Sequence, residues 1–200
     1  SIQIHIEKTN HSDTSYFELS GLTLRNTTHS FSYHATGVNG AKAKSYLKCD
    51  LFDKQVQSLN PDWVVISLGT NEAYTKNYKQ KKFQQNLTSL IHKIRNNSDS
   101  CWVLLTTPGD ALHNGKSRNS NNQLVRQDII KVAKEINCAY WDFFTVMGGE
   151  NSVDYWYSSD LTAKDKLHLN KKGYLIKANL FFDAFLDSFQ PFLSSKTKKE

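Results

Sequence analysis

Asp62-Trp63-Val64-Val65-Ile66-Ser67-Leu68-Gly69-Thr70-Asn71-Glu72-Ala73-Tyr74 is the stretch that decides how this chain folds. From Trp63 to Leu68 the run is almost unbroken apolar and β-branched, and too short for a helix. That is the pattern of a strand buried on both faces, expected here as a central parallel strand. The run stops at Gly69-Thr70-Asn71-Glu72, a glycine turn with polar side chains at the carboxyl end of the strand, where open α/β sheets place their ligands. Asn71 has two readings from this stretch alone: a cap on the helix that follows, or an amide held over a bound substrate.

Working outward, Asp165-Lys166-Leu167-His168-Leu169-Asn170 precedes Gly173-Tyr174 and a final apolar stripe. An Asp and a His three apart where a loop runs into a helix can touch, so that the carboxylate fixes the tautomer and orientation of the imidazole. The same spacing also describes an ordinary surface pair.

These two stretches, with the Gly37-Val38-Asn39-Gly40 turn, resemble three of the four signature blocks of the SGNH (GDSL-like) hydrolases in order and approximate separation. The resemblance covers roughly residues 31 to 189. It implies a flavodoxin-like three-layer α/β/α parallel sheet and a serine ester hydrolase without a cofactor. In that family's terms His168 is the base, Asp165 its orienting carboxylate, and the Gly40 N–H and Asn71 side-chain amide are oxyanion donors. The implied substrate is an acylated carbohydrate or cell-envelope glycan losing O-acyl, foremost acetyl, groups, as in glycan O-acetylesterases with an inserted β-domain. The implied location is periplasmic or extracellular. Two features depart from the pattern. Glu72, expected to help bind substrate, stands where Asp is commoner, and the sequence contains no Gly-Asp-Ser, the block that carries the nucleophile. The competing reading is a non-catalytic glycan-binding protein with a degenerate SGNH fold.

Length and charge narrow the field further. Two hundred residues fit one domain with a sizeable core and a small appendage. The formal charge of +6 gathers at Lys76, Lys79, Lys81 and Lys82 and at Lys196, Lys198 and Lys199, which reads as a solvated helix face and a basic tail. No recognition helix or stacking platform points to nucleic acid. No apolar run reaches membrane-spanning length. Cys49, Cys101 and Cys138 are far apart, with no metal-ligand spacing, and read as buried free thiols.

Along the chain, Ile2, Ile4 and Ile6 alternate with polar residues, Phe17 and Leu19 continue, and Leu22 and Leu24 resume in the opposite phase after Ser20-Gly21, as at a bulge. Phe31 and Tyr33 suggest a third strand. Residues 1–30 are therefore expected as an antiparallel β segment, either a β-strand appendage or, as the resemblance implies, the tail of an inserted β-domain. Residues 31–193 are expected as the α/β domain, and 194–200 as the basic tail. Within that domain, Leu47, Leu51, Phe52, Val56 and Leu59 give one helical stripe, and Phe83, Leu87, Leu90, Ile91 and Ile94 a second. Val125, Ile129, Val132, Ala133 and Ile136 give a third, and Leu175, Leu180, Phe181, Phe185 and Phe189 a last. Strands at Cys101 to Thr106 and Ala139 to Phe144 alternate with them, which implies a parallel sheet covered on both faces. The polar segment Asp110 to Asn122 reads as a mobile loop.

Other residues carry weaker signals. His34 reads as a structural, hydrogen-bonded strand residue. Met147-Gly148-Gly149-Glu150-Asn151-Ser152 with Trp156 reads either as a sugar-binding rim or as a plain loop beside a core tryptophan. Ser67 lies inside its strand, without the neighbours of a nucleophile elbow. The expectation is that the nucleophile strand belongs to an upstream segment of the same protein and that these residues alone are inactive. The slot it leaves in the sheet would be filled by Ile2 to Ile6, by a neighbouring molecule or by rearrangement.

Overall fold

The computed structural model describes residues 31–96 and 101–196, with Gln3, His5, Glu7, Thr14 and Tyr16 as isolated positions before them. It divides into two compact units, Ser1–Gly37 and Val38–Glu200. Most of the expected β segment, including Ile2, Ile4 and Ile6, lies outside the described residues. In the first unit the described run from Phe31 to Gly37 has no regular structure, and Phe31 and Tyr33 are exposed. The third strand expected there is not formed.

The second unit alternates helix and strand. Helices α1 (Ala43–Leu47) and α2 (Phe52–Leu59) lead into β1 (Trp63–Ile66), followed by the short α3 (Thr70–Ala73) and by α4 (Gln80–Arg95). Next come β2 (Trp102–Thr106), a two-residue hairpin of β3 (Leu112–His113) and β4 (Ser117–Arg118), and α5 (Asn121–Glu135). The chain then runs through β5 (Ala139–Trp141), α6 (Phe143–Met147), α7 (Ser152–Ser158) and α8 (Lys171–Lys196). Asn60 closes α2 in the left-handed conformation, which Asn tolerates, just before Pro61.

The sheet is parallel in the order β1-β2-β5, with Trp63 beside Trp102, Ile66 beside Leu105, and Thr106 beside Trp141. Side chains alternate across it, so each face meets its own layer. Ile66, Val103 and Leu105 join the buried stripes of α4 (Phe83, Leu87, Leu90, Ile91, Ile94) and α5 (Val125, Ile129, Val132, Ala133). Leu104 and Trp141 face the other way, into Phe143, Met147, Val153 and Trp156, with Leu180, Phe181 and Ala184 of α8 packed against them. This is the three-layer α/β/α arrangement.

One expectation about β1 is corrected. Among the described residues β2, not β1, is the middle strand. On the α8 side of β1, Trp63 lies 4.7 Å from the Phe185 ring yet stays 38% exposed, and Val65 is 45% exposed. The apolar run identifies the strand but does not say how many neighbours cover it. The thiols also differ from expectation: all three are free, but only Cys101 is buried, Cys138 being half-buried and Cys49 exposed. Among the described residues no helix is long and apolar enough to cross a membrane.

Candidate active site

The loop from Leu161 to Asn170 is shaped by its own backbone. Thr162 and Leu169 form an isolated antiparallel bridge, Ala163 N–H donates to His168 O at 2.8 Å, and Lys166 N–H donates to Ala163 O at 3.0 Å. Asn170 then caps α8 by accepting the Gly173 N–H on its side-chain oxygen at 3.0 Å. Inside this frame Asp165 Oδ1 accepts the N–H groups of Leu167 and His168, each at 3.0 Å, and Oδ2 lies 2.7 Å from His168 Nδ1. Burial alone would raise the Asp165 carboxyl, but hydrogen bonds from the His168 ring and the two backbone N–H groups outweigh it and hold it below the usual carboxylate range. An ionised carboxylate only accepts, so Nδ1 carries the proton and Nε2 is left as the basic nitrogen. Among the described residues Nε2 has no hydrogen-bond partner.

A second group forms where β1 ends. Gly69 turns with φ +121°, and a Cβ there would stand 2.8 Å from Val125 Cγ1 and 3.1 Å from Ile129 Cδ1, so the turn sits against α5 only as glycine. Asn71 donates from its amide nitrogen to Ala41 O at 2.9 Å, which spends one of its two N–H bonds. Gly40 precedes Ala41 with φ +73°, and nothing lies within 4 Å of where its Cβ would be. Glycine is used there for the backbone conformation, which leaves that side of the turn open. The Gly40 turn and Asn71 are thus tied together across 30 residues of sequence.

The segment expected to be a mobile loop is instead a tight hairpin, and it touches both groups. Tyr74 donates its hydroxyl to Asn114 Oδ1 at 2.7 Å, accepts the Asn114 N–H at 3.1 Å, and stacks on His113 with ring centres 4.4 Å apart. On the other side Leu112 N–H donates to Lys166 O at 2.9 Å, and a Cβ on Gly115 would lie 3.3 Å from Asp165 O. Asp154 of α7 ties this corner by accepting from Arg118 Nη2 on β4 and from Lys166 Nζ at 3.0 Å. The Lys166 ammonium also stands 4.6 Å over the Tyr157 ring. These hairpin and ion-pair residues escaped the sequence reading, because two-residue strands show no periodicity and an Asp on one element does not name its partner on another.

Two residues offered as substrate-binding candidates, Trp156 with a core tryptophan as its alternative, are placed elsewhere. Trp156 is 9% exposed, packs edge-on against Phe143, and donates its indole N–H to Met147 O at 2.9 Å. It presents no open face for a sugar and belongs to the core. Glu72 is 8% exposed and turns inward, where Oε1 accepts the Ala43 N–H at 2.8 Å. Ser67, expected inside the strand, instead lies one residue past the end of β1 and is exposed, its hydroxyl accepting from Thr106 Oγ1 at 2.9 Å. His34 is exposed on the irregular run of the first unit. At the end of β2, Thr107 donates to Asp142, which Arg126 grips through both Nε and Nη2. Burial would raise Asp142, but Arg126, Thr145 and Thr107 together hold it below the usual carboxylate range.

Comparison with known proteins adds three findings. The model of the GDSL-like lipase/acylhydrolase family matches residues 9–176. Among solved structures the chain is similar to a peptidoglycan O-acetylesterase, with 25% identity and a TM-score of 0.74 over 78% of this chain. It spans about half of that protein's length, 46%. It is also similar to a lipase/acylhydrolase from Enterococcus faecalis, with 25% identity, a TM-score of 0.56, and 71% of this chain and 69% of that one covered. An acetyl xylan esterase shares the fold at 24% identity, with a TM-score of 0.58, 74% of this chain and 78% of that one being covered. No match was found among curated proteins by sequence.

Proposed function

The chain belongs to the GDSL-like lipase/acylhydrolase family, and on that footing we propose that it is the catalytic region of a serine esterase that removes O-acyl, foremost acetyl, groups from a carbohydrate or cell-envelope glycan. The observation that carries this reading is the Asp165–His168 contact, 2.7 Å long, with the carboxylate held by two backbone N–H groups and Nε2 left without a partner among the described residues. Such an imidazole can take a proton from an attacking hydroxyl at Nε2 and return it to the leaving alkoxide, while Asp165 stabilises the charged ring. The Gly40 N–H and the second N–H of the Asn71 amide are the proposed donors to the oxyanion of the tetrahedral intermediate. The choice of an acetylated glycan is supported by the peptidoglycan O-acetylesterase to which the chain is similar. A periplasmic or extracellular location goes with that substrate.

The nucleophile, in this proposal, comes from a segment beyond these residues, since the sequence has no Gly-Asp-Ser and the Ser67 hydroxyl is bonded to Thr106 Oγ1. The same missing block favours the second reading, a glycan-binding protein that has the fold without the chemistry. An assay on an aryl acetate and an O-acetylated glycan separates the two. The 200 residues alone are expected to be inert, and a longer form carrying an upstream Gly-Asp-Ser block is expected to turn over and to be blocked by serine-directed inhibitors. Turnover by the 200 residues that survives such inhibitors overturns the proposal. An inert longer form that still binds the glycan establishes the second reading.

A further inference from the structure

We propose that Glu72 is a positioning residue that holds the Gly40 turn in register with Asn71, so that both donors address one point; this deepens the oxyanion assignment above and rests on it. Three consecutive residues after Gly40 are bound to the first turn after β1. Ala41 O accepts from Asn71 Nδ2 at 2.9 Å, Lys42 Nζ donates to Thr75 Oγ1 at 2.7 Å, and Ala43 N–H donates to Glu72 Oε1 at 2.8 Å. Of these links only the last is buried on both sides, Ala43 being wholly covered and Glu72 nearly so. Screening by water is weakest there, which makes it the strongest of the three. The others are part-buried and end on groups that water can replace.

The need for such a tether follows from the size of α1. Five residues cannot form a stable helix alone, and its N-terminal N–H groups require partners from elsewhere. Ser45 meets the Lys42 N–H locally at 3.1 Å. Glu72, adjacent in sequence to Asn71, meets the next N–H from across the site, so α1 is fastened to the very turn that carries the amide. The second oxygen of Glu72, Oε2, is buried without a partner among the described residues. Burial raises this carboxyl, while the bond from Ala43 and the nearby Lys42 charge act against that shift and hold the group in place.

The test reads backbone and side-chain amides of the 200-residue protein by NMR and needs no turnover, so an esterase reading that fails leaves its outcome interpretable. In Glu72→Ala the Gly40 N–H and the Asn71 side-chain NH2 signals should move, and exchange of the Ala43 N–H should rise by ~tenfold or more. Ser45→Ala, which weakens the local cap of the same helix, should leave the Asn71 amide in place. Should Glu72→Ala not fold, Glu72→Asp, one methylene short of Ala43, is read by the same signals. Unmoved Gly40 and Asn71 signals, or an equal movement in Ser45→Ala, overturn the proposal and leave Glu72 as a helix cap.

Discussion

Asp165 and His168 hold one another twice, through the ring Nδ1 on Oδ2 at 2.7 Å and through the His168 backbone N–H on Oδ1 at 3.0 Å. The carboxylate therefore fixes both the imidazole and the chain that carries it. Because hydrogen bonding keeps the folded Asp165 below its unfolded value near 3.9, the stability it contributes is present above that value and is lost as pH falls through the lower folded one. A carboxyl-carbon titration by NMR should show this depressed midpoint in the wild type. In His168→Ala the midpoint should move up, since the ring is the foremost of the groups that lower it. An unchanged midpoint would mean that the ring does not engage the carboxylate in solution.

Glu72 should show the opposite dependence. Burial raises its carboxyl above the ordinary value, against the hydrogen bond from Ala43 and the Lys42 charge. A raised acid binds its proton more tightly in the folded state, so the wild type loses stability as pH rises from the unfolded value through the folded one. Glu72→Gln keeps an acceptor for the Ala43 N–H and has no charge to bury. Its thermal midpoint should gain on the wild type across that window and stay level with it below. Thermal melts of both proteins at several pH values measure the difference.

The two tryptophans singled out in the sequence exchange their weights once packing is known. Trp156→Ala removes a ring buried among Phe143 and Met147 and leaves the Met147 carbonyl unpaired, and should cost about 3 to 5 kcal/mol. Trp63→Ala removes a ring more than a third exposed, and should cost clearly less. Urea midpoints for both variants check the order.

That exchange shows which part of the molecule can be read from the chain. The stripes Phe83 to Ile94 and Val125 to Ala133, and the apolar runs at Trp63 and Trp102, mark α/β alternation because helix and strand periods are local properties of sequence. The spacing of Asp165 and His168 is likewise local, so their contact could be anticipated. Whether Trp63 or Trp156 faces the core depends on which layer lies opposite. The inward turn of Glu72 depends on Ala43, 29 residues away. No periodicity carries such information. The Tyr74–Asn114 and Asp154–Lys166 contacts were invisible for the same reason.

Lys177 supplies a prediction far from the loop chemistry. Its ammonium lies 4.5 Å from the Phe143 ring centre, and burial brings it down to about 8. A lysine depressed in the folded state releases its proton there more readily than in the unfolded chain, so stability rises as pH increases through the folded value toward the unfolded one near 10.4. Lys177→Met should therefore stabilise the protein at neutral pH, by no more than roughly 3 kcal/mol, less the cation–π attraction it gives up. The gain should shrink above pH 8. A gain that is constant with pH would mean that packing, not charge burial, is what the methionine improves.

Asn71 is the residue at which fastening and chemistry have to be separated. Its amide already gives one N–H to Ala41 O, so replacing it both loosens the Gly40 turn and removes the proposed oxyanion donor. Asn71→Ala does both. Asn71→Asp keeps the size of the side chain but has no N–H to give and sets a negative charge beside the developing oxyanion. In a form of the protein that hydrolyses an acetyl ester, Asn71→Ala should lose about 2.7 to 4 kcal/mol of transition-state stabilisation, appearing in kcat more than in KM. Asn71→Asp should be at least as slow although its thermal midpoint stays nearer the wild type. If activity instead follows the midpoint in both variants, Asn71 acts through the fold, and the oxyanion role passes to other donors.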